Sequence, residues 1–208
     1  GCKLSPLSKI SFYECIWDNN YYSQNGGAFQ YGDDNTINDK ILEFNKCIFT
    51  RNKTPETGGA LSLQTHNNIF IENCQFIENT AGRATQSSNL LADSDYQGFG
   101  GALFINPRIQ TELSFVPVYK ISHTTFIGNE ANDGYAILIT NSQFMKVLLE
   151  NRNTFTNNGR TGSAIITDQN IDLEDSIFNT TESGGNSSNP ISYEKIPAIY
   201  NHMLFYQQ

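Results

Sequence analysis

The stretch IENCQFIENTAG (residues 71–82) has a near twin in FNKCIFTRNKTP (44–55) and a looser one in FYECIWDNNYYS (12–23). In each, a cysteine stands two residues before a large aromatic and an asparagine three residues after it. Aligning outward on the aromatic gives Trp17, Phe49, Phe76, Phe126, Phe155 and Phe178. Two residues before it stand Cys15, Cys47, Cys74, Thr124, Asn153 and Ser176. Three after it stand Asn20, Asn52, Asn79, Asn129 and Asn158, with Thr181 in the sixth copy. At minus five and minus seven the copies read Phe12/Ile10, Phe44/Leu42, Ile71/Ile69 and Ile121/Tyr119, and in the sixth Leu173/Ile171. The fifth, VLLENRNTF (147–155), fits once one residue is inserted between Leu149 and Phe155.

A second motif alternates with the first. GGAFQY begins at Gly26, GGALSL at Gly58 and GGALFI at Gly100, with weaker copies GYAILI at Gly134, GSAIIT at Gly162 and PAIY at Pro197. The shared alanines are Ala28, Ala60, Ala102, Ala136, Ala164 and Ala198. Apolar residues two apart on each side of the bend, and again after each alanine, have the period of a strand with one buried face. Glycine, asparagine and threonine interrupt the runs too often for a helix. The alanines recur at intervals of 32, 42, 34, 28 and 34 residues. That is too long for a single hairpin, and no amphipathic helix lies between to serve as a crossover. A coil that returns to the same place after each copy meets both facts, with equivalent strands parallel at about 4.8 Å. The expected fold is therefore all-β: a single-stranded, right-handed parallel β-helix of the pectate-lyase-like kind, a solenoid of about six coils covering residues 10–200. The asparagine after each aromatic is expected at a left-handed corner, its amide stacked on the asparagine of the next coil. A ligand-facing asparagine ladder is the other reading of that column.

Composition narrows the partners. Of 208 residues, 16% are charged and the formal net charge is -8, so solubility rests on neutral polar groups. There is no basic run to hold a phosphate backbone, which argues against nucleic acid. No apolar stretch has the length of a membrane span, so direct membrane insertion is not expected. The chain starts and stops within patterned sequence. It is read as one domain, 1–208, of a longer chain, with further coils or domains of that chain as neighbours. Residues 82–99 form a long loop insertion of the sort that solenoids tolerate and often use for binding.

Alternation of F-x-x-N with G-G-A-[I/L] resembles the repeats of polymorphic outer membrane proteins, large surface proteins built on right-handed β-helices. Similar repeats occur in surface proteins of unicellular eukaryotes. The resemblance is carried by Trp17 with Asn20, Phe49 with Asn52, Phe76 with Asn79, Phe126 with Asn129 and Phe155 with Asn158. Its glycine half is carried by Gly26 to Ala28, Gly58 to Ala60 and Gly100 to Ala102; the sixth copy keeps neither half intact. It implies passenger-domain architecture, an extracellular or cell-surface location, and adhesion.

Cys15, Cys47 and Cys74 share one repeat position and are expected to point inward as stacked free thiols, because in-register Cβ atoms sit farther apart than the ~3.8 Å of a disulfide. Cys2 is the one candidate partner for Cys15. No C-x-x-C pair is present, and His66, His123 and His202 share no ligand spacing, so they are read as surface or turn residues and neither metal nor cofactor is expected. Asn52, Asn179 and Asn186 head glycosylation sequons, as a glycoprotein would carry.

Many parallel β-helices act on polysaccharides, and that chemistry needs paired carboxylates or a carboxylate cluster holding Ca²⁺. The candidates are Asp168, Asp172, Glu174 and Asp175; Asp33 with Asp34; and Arg83, Asp93, Asp95 and Tyr96 in the insertion. No arginine, lysine or histidine recurs beside the first two groups, and the third lacks a second basic partner, so each also reads as solvated surface. The expected function is a non-catalytic surface or secreted scaffold with a protein or carbohydrate ligand. The alternatives are a polysaccharide lyase or glycoside hydrolase, and an intracellular structural module.

Overall fold

A computed structural model describes residues 9–32, 40–82, 98–107, 116–131, 134–141, 145–158, 164–167, 171, 175–180, 191–193 and 204–207. The first repeat supplies strands β1 (Lys9–Tyr13), β2 (Ile16–Asp18) and β3 (Phe29–Gly32). The second supplies β4 (Ile41–Asn45), β5 (Ile48–Thr50), the short β6 (Lys53–Thr54) and β7 (Leu61–Gln64). The third supplies β8 (Asn68–Glu72), β9 (Gln75–Ile77), β10 (Thr80–Ala81) and β11 (Leu103–Ile105). Then follow β12 (Val118–Ser122), β13 (Thr125–Ile127) and β14 (Ile137–Ile139), and β15 (Lys146–Glu150), β16 (Thr154–Thr156) and β17 (Ile165–Thr167). The chain ends with β18 (Ile177–Thr180), β19 (Ile191–Tyr193) and β20 (Leu204–Gln207).

Every pairing between these strands is parallel and joins equivalent positions of successive repeats. A five-stranded sheet runs β1-β4-β8-β12-β15, a seven-stranded one β2-β5-β9-β13-β16-β18-β20, and a six-stranded one β3-β7-β11-β14-β17-β19, with β6 and β10 as a two-stranded ribbon. No sheet closes on itself, and no helix occurs among the described residues. This all-β arrangement is compatible with a β-helix or solenoid. The pairing is local in one sense only: partners are distant in sequence, but each repeat meets only its neighbours.

Alternating burial within β4 and β8 turns Leu42, Phe44, Ile69 and Ile71 inward. The inward residues of all three large sheets form one apolar cluster. Within it Trp17, Phe49, Phe76, Phe126, Phe155 and Phe178 stack ring on ring, with centroids 4.5–5.0 Å apart and planes within 8° of parallel. Such close, nearly parallel rings are the arrangement that the strand spacing imposes on identical positions.

The repeat continues differently from the sequence reading at its end. The strand beside β17 is Ile191–Tyr193, with Ile191 beside Ile165; Pro197 and Ala198, where the sixth motif is expected, lie outside the described residues. A seventh strand then joins the aromatic sheet, with Phe205 beside Phe178. In the fifth copy the extra residue is taken up at Asn151 and Arg152, both at positive φ, and Phe155 keeps its register with Phe126.

Candidate functional site

The recurring polar residues are the first place to look for chemistry, and the structure turns them inward. Asn52, Asn79, Asn129 and Asn158 are buried. Each Nδ2 donates to the Oδ1 of the next: Asn20 to Asn52 at 2.8 Å, Asn52 to Asn79 at 2.9 Å, Asn79 to Asn129 at 3.0 Å and Asn129 to Asn158 at 2.8 Å. The same Oδ1 accepts the backbone N–H of the preceding asparagine, and the second Nδ2 hydrogen reaches back to the carbonyl of Trp17, Phe49, Phe76 or Phe126. Every polar atom of each interior amide is thereby satisfied without water.

The asparagine is not itself the left-handed residue. That conformation falls one position earlier, at Asn19, Arg51, Glu78, Gly128 and Asn157, and again three residues before the aromatic, at Glu14, Lys46, Asn73, His123, Arg152 and Asp175. The physical reason lies in the backbone bonds across the corner. Glu14 N–H reaches the Asn45 carbonyl, Lys46 reaches Glu72 and Asn73 reaches Ser122, all at 3.0–3.1 Å. These bonds hold charged side chains where glycine or asparagine would otherwise be preferred.

The position occupied by Cys47, Cys74, Thr124 and Asn153 forms a second buried ladder. Cys47 N–H donates to Cys74 Sγ (3.4 Å), Cys74 N–H to Thr124 Oγ1 (3.3 Å) and Thr124 N–H to Asn153 Oδ1 (3.1 Å). Cys47 Sγ donates back to the Phe12 carbonyl, Cys74 Sγ to Phe44 and Asn153 Nδ2 to Ile121. One small side chain that both donates and accepts is what the site requires, which explains why cysteine, threonine and asparagine interchange there. Cys15, Cys47 and Cys74 are free thiols; Cys2 lies outside the described residues. Burial raises the Cys47 thiol and pushes that of Cys74 up to about 12, the opposite of what a nucleophilic or metal-binding cysteine needs.

The Asn52 sequon is closed in the folded chain, since its amide nitrogen is committed to Trp17 and Asn79 inside the stack. Of Asn179 only the backbone, in β18, is described, and Asn186 lies outside the described residues. His66 sits, buried, in the bend between β7 and β8, and His123 is exposed at a left-handed corner; His202 lies outside the described residues. Among the candidate acids, Asp175 is an exposed corner residue. Asp33, Asp34, Arg83, Asp93, Asp95, Tyr96, Asp168, Asp172 and Glu174 all lie outside the described residues. Among the described ones no group of three or more histidine, cysteine, aspartate or glutamate side chains is placed to hold a metal ion.

What faces solvent is a set of corner columns whose identity changes at every rung. Arg51 forks onto Asp18 with bonds of 2.6–3.0 Å, and Lys46 meets the Tyr13 hydroxyl at 2.7 Å and Glu14 at 3.4 Å. Such exposed pairs contribute little stability. They set the shape and charge of the outer face. No protein-family model, no curated protein and no solved structure matches the chain.

Proposed function

We propose that the chain is a right-handed parallel β-helix of the polymorphic outer membrane protein repeat kind, serving as a non-catalytic cell-surface or secreted scaffold for adhesion or ligand presentation. Handedness rests on the general rule that a connection between parallel strands of one sheet crosses over right-handedly. The observation that carries the functional reading is the division of labour within the repeat. The constant polar residues are consumed in holding one repeat to the next, and the variable ones stand outward at corners a strand spacing apart. Glu14, Lys46, Asn73, His123 and Arg152 occupy one such column. A rigid frame with interchangeable outward side chains suits recognition of a protein or carbohydrate, and it can vary at those corners without loss of the core.

The test is binding of the purified chain to a glycan array and to intact cells, with Lys46→Ala, Arg51→Ala and His123→Ala as variants. The expected result is saturable binding weakened by one or more of these substitutions, with the circular dichroism spectrum unchanged. The reading is overturned if a polysaccharide panel yields new reducing ends or unsaturated products and that turnover is lost on replacing Asp93, Asp95, Asp168 or Asp172. The chain would then be a lyase or hydrolase.

A further inference from the structure

The three large sheets turn different faces away from the core. On the five-stranded sheet the outward positions carry Glu43, Glu72, Lys120, Lys146 and Glu150. In the six-stranded sheet β7, β11 and β14 are buried on both sides, with Ser62, Phe104 and Leu138 closed to solvent opposite the core. The seven-stranded sheet differs from both. Alternation about its buried aromatics turns Ile48, Gln75, Thr125 and Thr154 outward in one row. Thr50, Ile77, Ile127 and Thr156 make a second row two residues on, again in register from strand to strand. All eight are at least partly exposed and none is charged.

The hydrogen-bonding groups of this strip are unspent. The side chains of Thr50, Gln75, Thr125, Thr154 and Thr156 bond to none of the described residues, unlike the two ladders behind them. Strand propensity favours isoleucine and threonine in any sheet. The five-stranded sheet is under the same preference, yet it carries charge on its outer face.

We infer that this strip binds a neutral, linear polysaccharide lying along the stack, so that successive rungs meet successive sugar units. The inference rests on reading the chain as a ligand-binding scaffold, and it names the ligand class and the face that holds it. Charge and area select the occupant. A net charge of -8 repels a polyanion, and the strip has no carboxylate for a polycation except Asp18 at its edge, which is committed to Arg51. Six strands at about 4.8 Å make a strip roughly 24 Å by 10 Å, on the order of 250 Å². A protein partner needs about 800 Å² on each side. It would have to cover the flanking corners too, where Lys46 gives way to Asn73 and His123, and Arg51 to Glu78. A sugar chain fits within the strip. Each rung sets a hydroxyl, an amide or a second methyl group beside methyl groups, and a sugar ring likewise offers hydroxyls beside C–H groups. Contacts that are weak at one rung add along a repeating ligand.

Affinity electrophoresis in native gels tests it. The neutral probes are amylose, mannan, mixed-linkage β-glucan and hydroxyethyl cellulose, with pectate and alginate as anionic ones. The expected result is retardation by at least one neutral polymer that is lost when the polymer is cut to single sugars. Raising the salt from 20 to 500 mM should not change it, because no ion pair is formed. Thr125→Glu and Ile127→Glu each put a charge on the strip and should weaken the retardation at least about tenfold. Lys146→Ala, on the five-stranded sheet, should leave it unchanged. Retardation by none of the neutral polymers, retardation by pectate or alginate alone, or glutamate variants that bind like the native chain would each overturn the inference. If a glutamate variant loses the native circular dichroism spectrum, Thr154→Val decides in its place, since it removes a hydroxyl and keeps the shape. Cell binding that the Lys46, Arg51 or His123 variants weaken, with no neutral polymer bound, would remove the polysaccharide and keep the scaffold.

Discussion

At the scale of single residues, Asn79 shows what a polar side chain does inside an apolar core. It gives hydrogen bonds to Phe49 and Asn129 and accepts two from Asn52, so its removal strands several buried partners at once. Asn79→Ala should lower stability by about 3–5 kcal/mol in urea titrations, well beyond the loss of one ordinary bond. Asn79→Asp keeps the shape and the acceptors but cannot donate while ionised. It should be as damaging at pH 7 and should recover part of the loss as the pH falls and the carboxyl regains a proton. Cys74 makes a prediction at the other end of the pH scale. Its folded-state thiol is held up to about 12 by burial, whereas the unfolded thiol ionises near ~8.5. Between these values the unfolded chain loses a proton that the folded chain keeps, so stability is full below the lower value and declines as the pH rises through the window. Denaturation midpoints between pH 7 and 10 should fall for the native chain and fall less for Cys74→Ser, whose hydroxyl fits the same donor-and-acceptor role.

At the scale of the element, the glycine pair separates two causes that look alike in the sequence. Gly58 has φ +67°, where a side chain would meet the Leu61 carbonyl of its own repeat at 2.1 Å, whereas a side chain on Gly59, with no positive φ, would sit 2.0 Å from the Gly101 carbonyl oxygen and 2.6 Å from the Thr80 nitrogen of the next repeat. The second glycine is thus required by the carbonyl of its counterpart Gly101 in the next repeat and by the small strand β10 that follows Asn79. Gly59→Ala should cost about 2–3 kcal/mol by overpacking, and Gly32→Ala, with nothing within 4 Å, should stay within about 0.5 kcal/mol in the same thermal or urea measurement. Strand identity, parallel register and the aromatic column were legible in the sequence because each rests on a side-chain class recurring at a fixed spacing. The corners were not. Glu14, Lys46, Arg51, Glu78 and His123 take a left-handed backbone against their own preference, since the geometry is imposed by bonds to the next repeat. Nor was the last third-sheet strand legible, since Ile191 holds its register beside Ile165 with no glycine–alanine motif before it. The outward columns, where recognition is proposed, change residue at every rung and so leave no pattern to find.

At the scale of the whole molecule, a stack in which each repeat touches only its neighbours should tolerate loss of a whole unit and not of a fraction of one. Excising residues 53–79 joins Asn52 to Thr80, an equivalent junction because Thr80 lies beside Lys53 and Asn79 beside Asn52. That chain should keep a β-type circular dichroism spectrum with a lower melting temperature. Excising 53–78 instead puts Asn79 in the place of Lys53 and sets the short strand β10 one residue out of step with its neighbours, so it should lower the melting temperature further than loss of the whole unit. The asparagine ladder gives this stack one more property. All of its side-chain carbonyls point toward the first repeat, so their dipoles add instead of cancelling, as peptide units do along an α-helix. The row of amides has a negative pole at Asn20 and polarises its own bonds from rung to rung. The molecule therefore has an electrical direction as well as a chain direction, written by a single uncharged residue type repeated at the same corner.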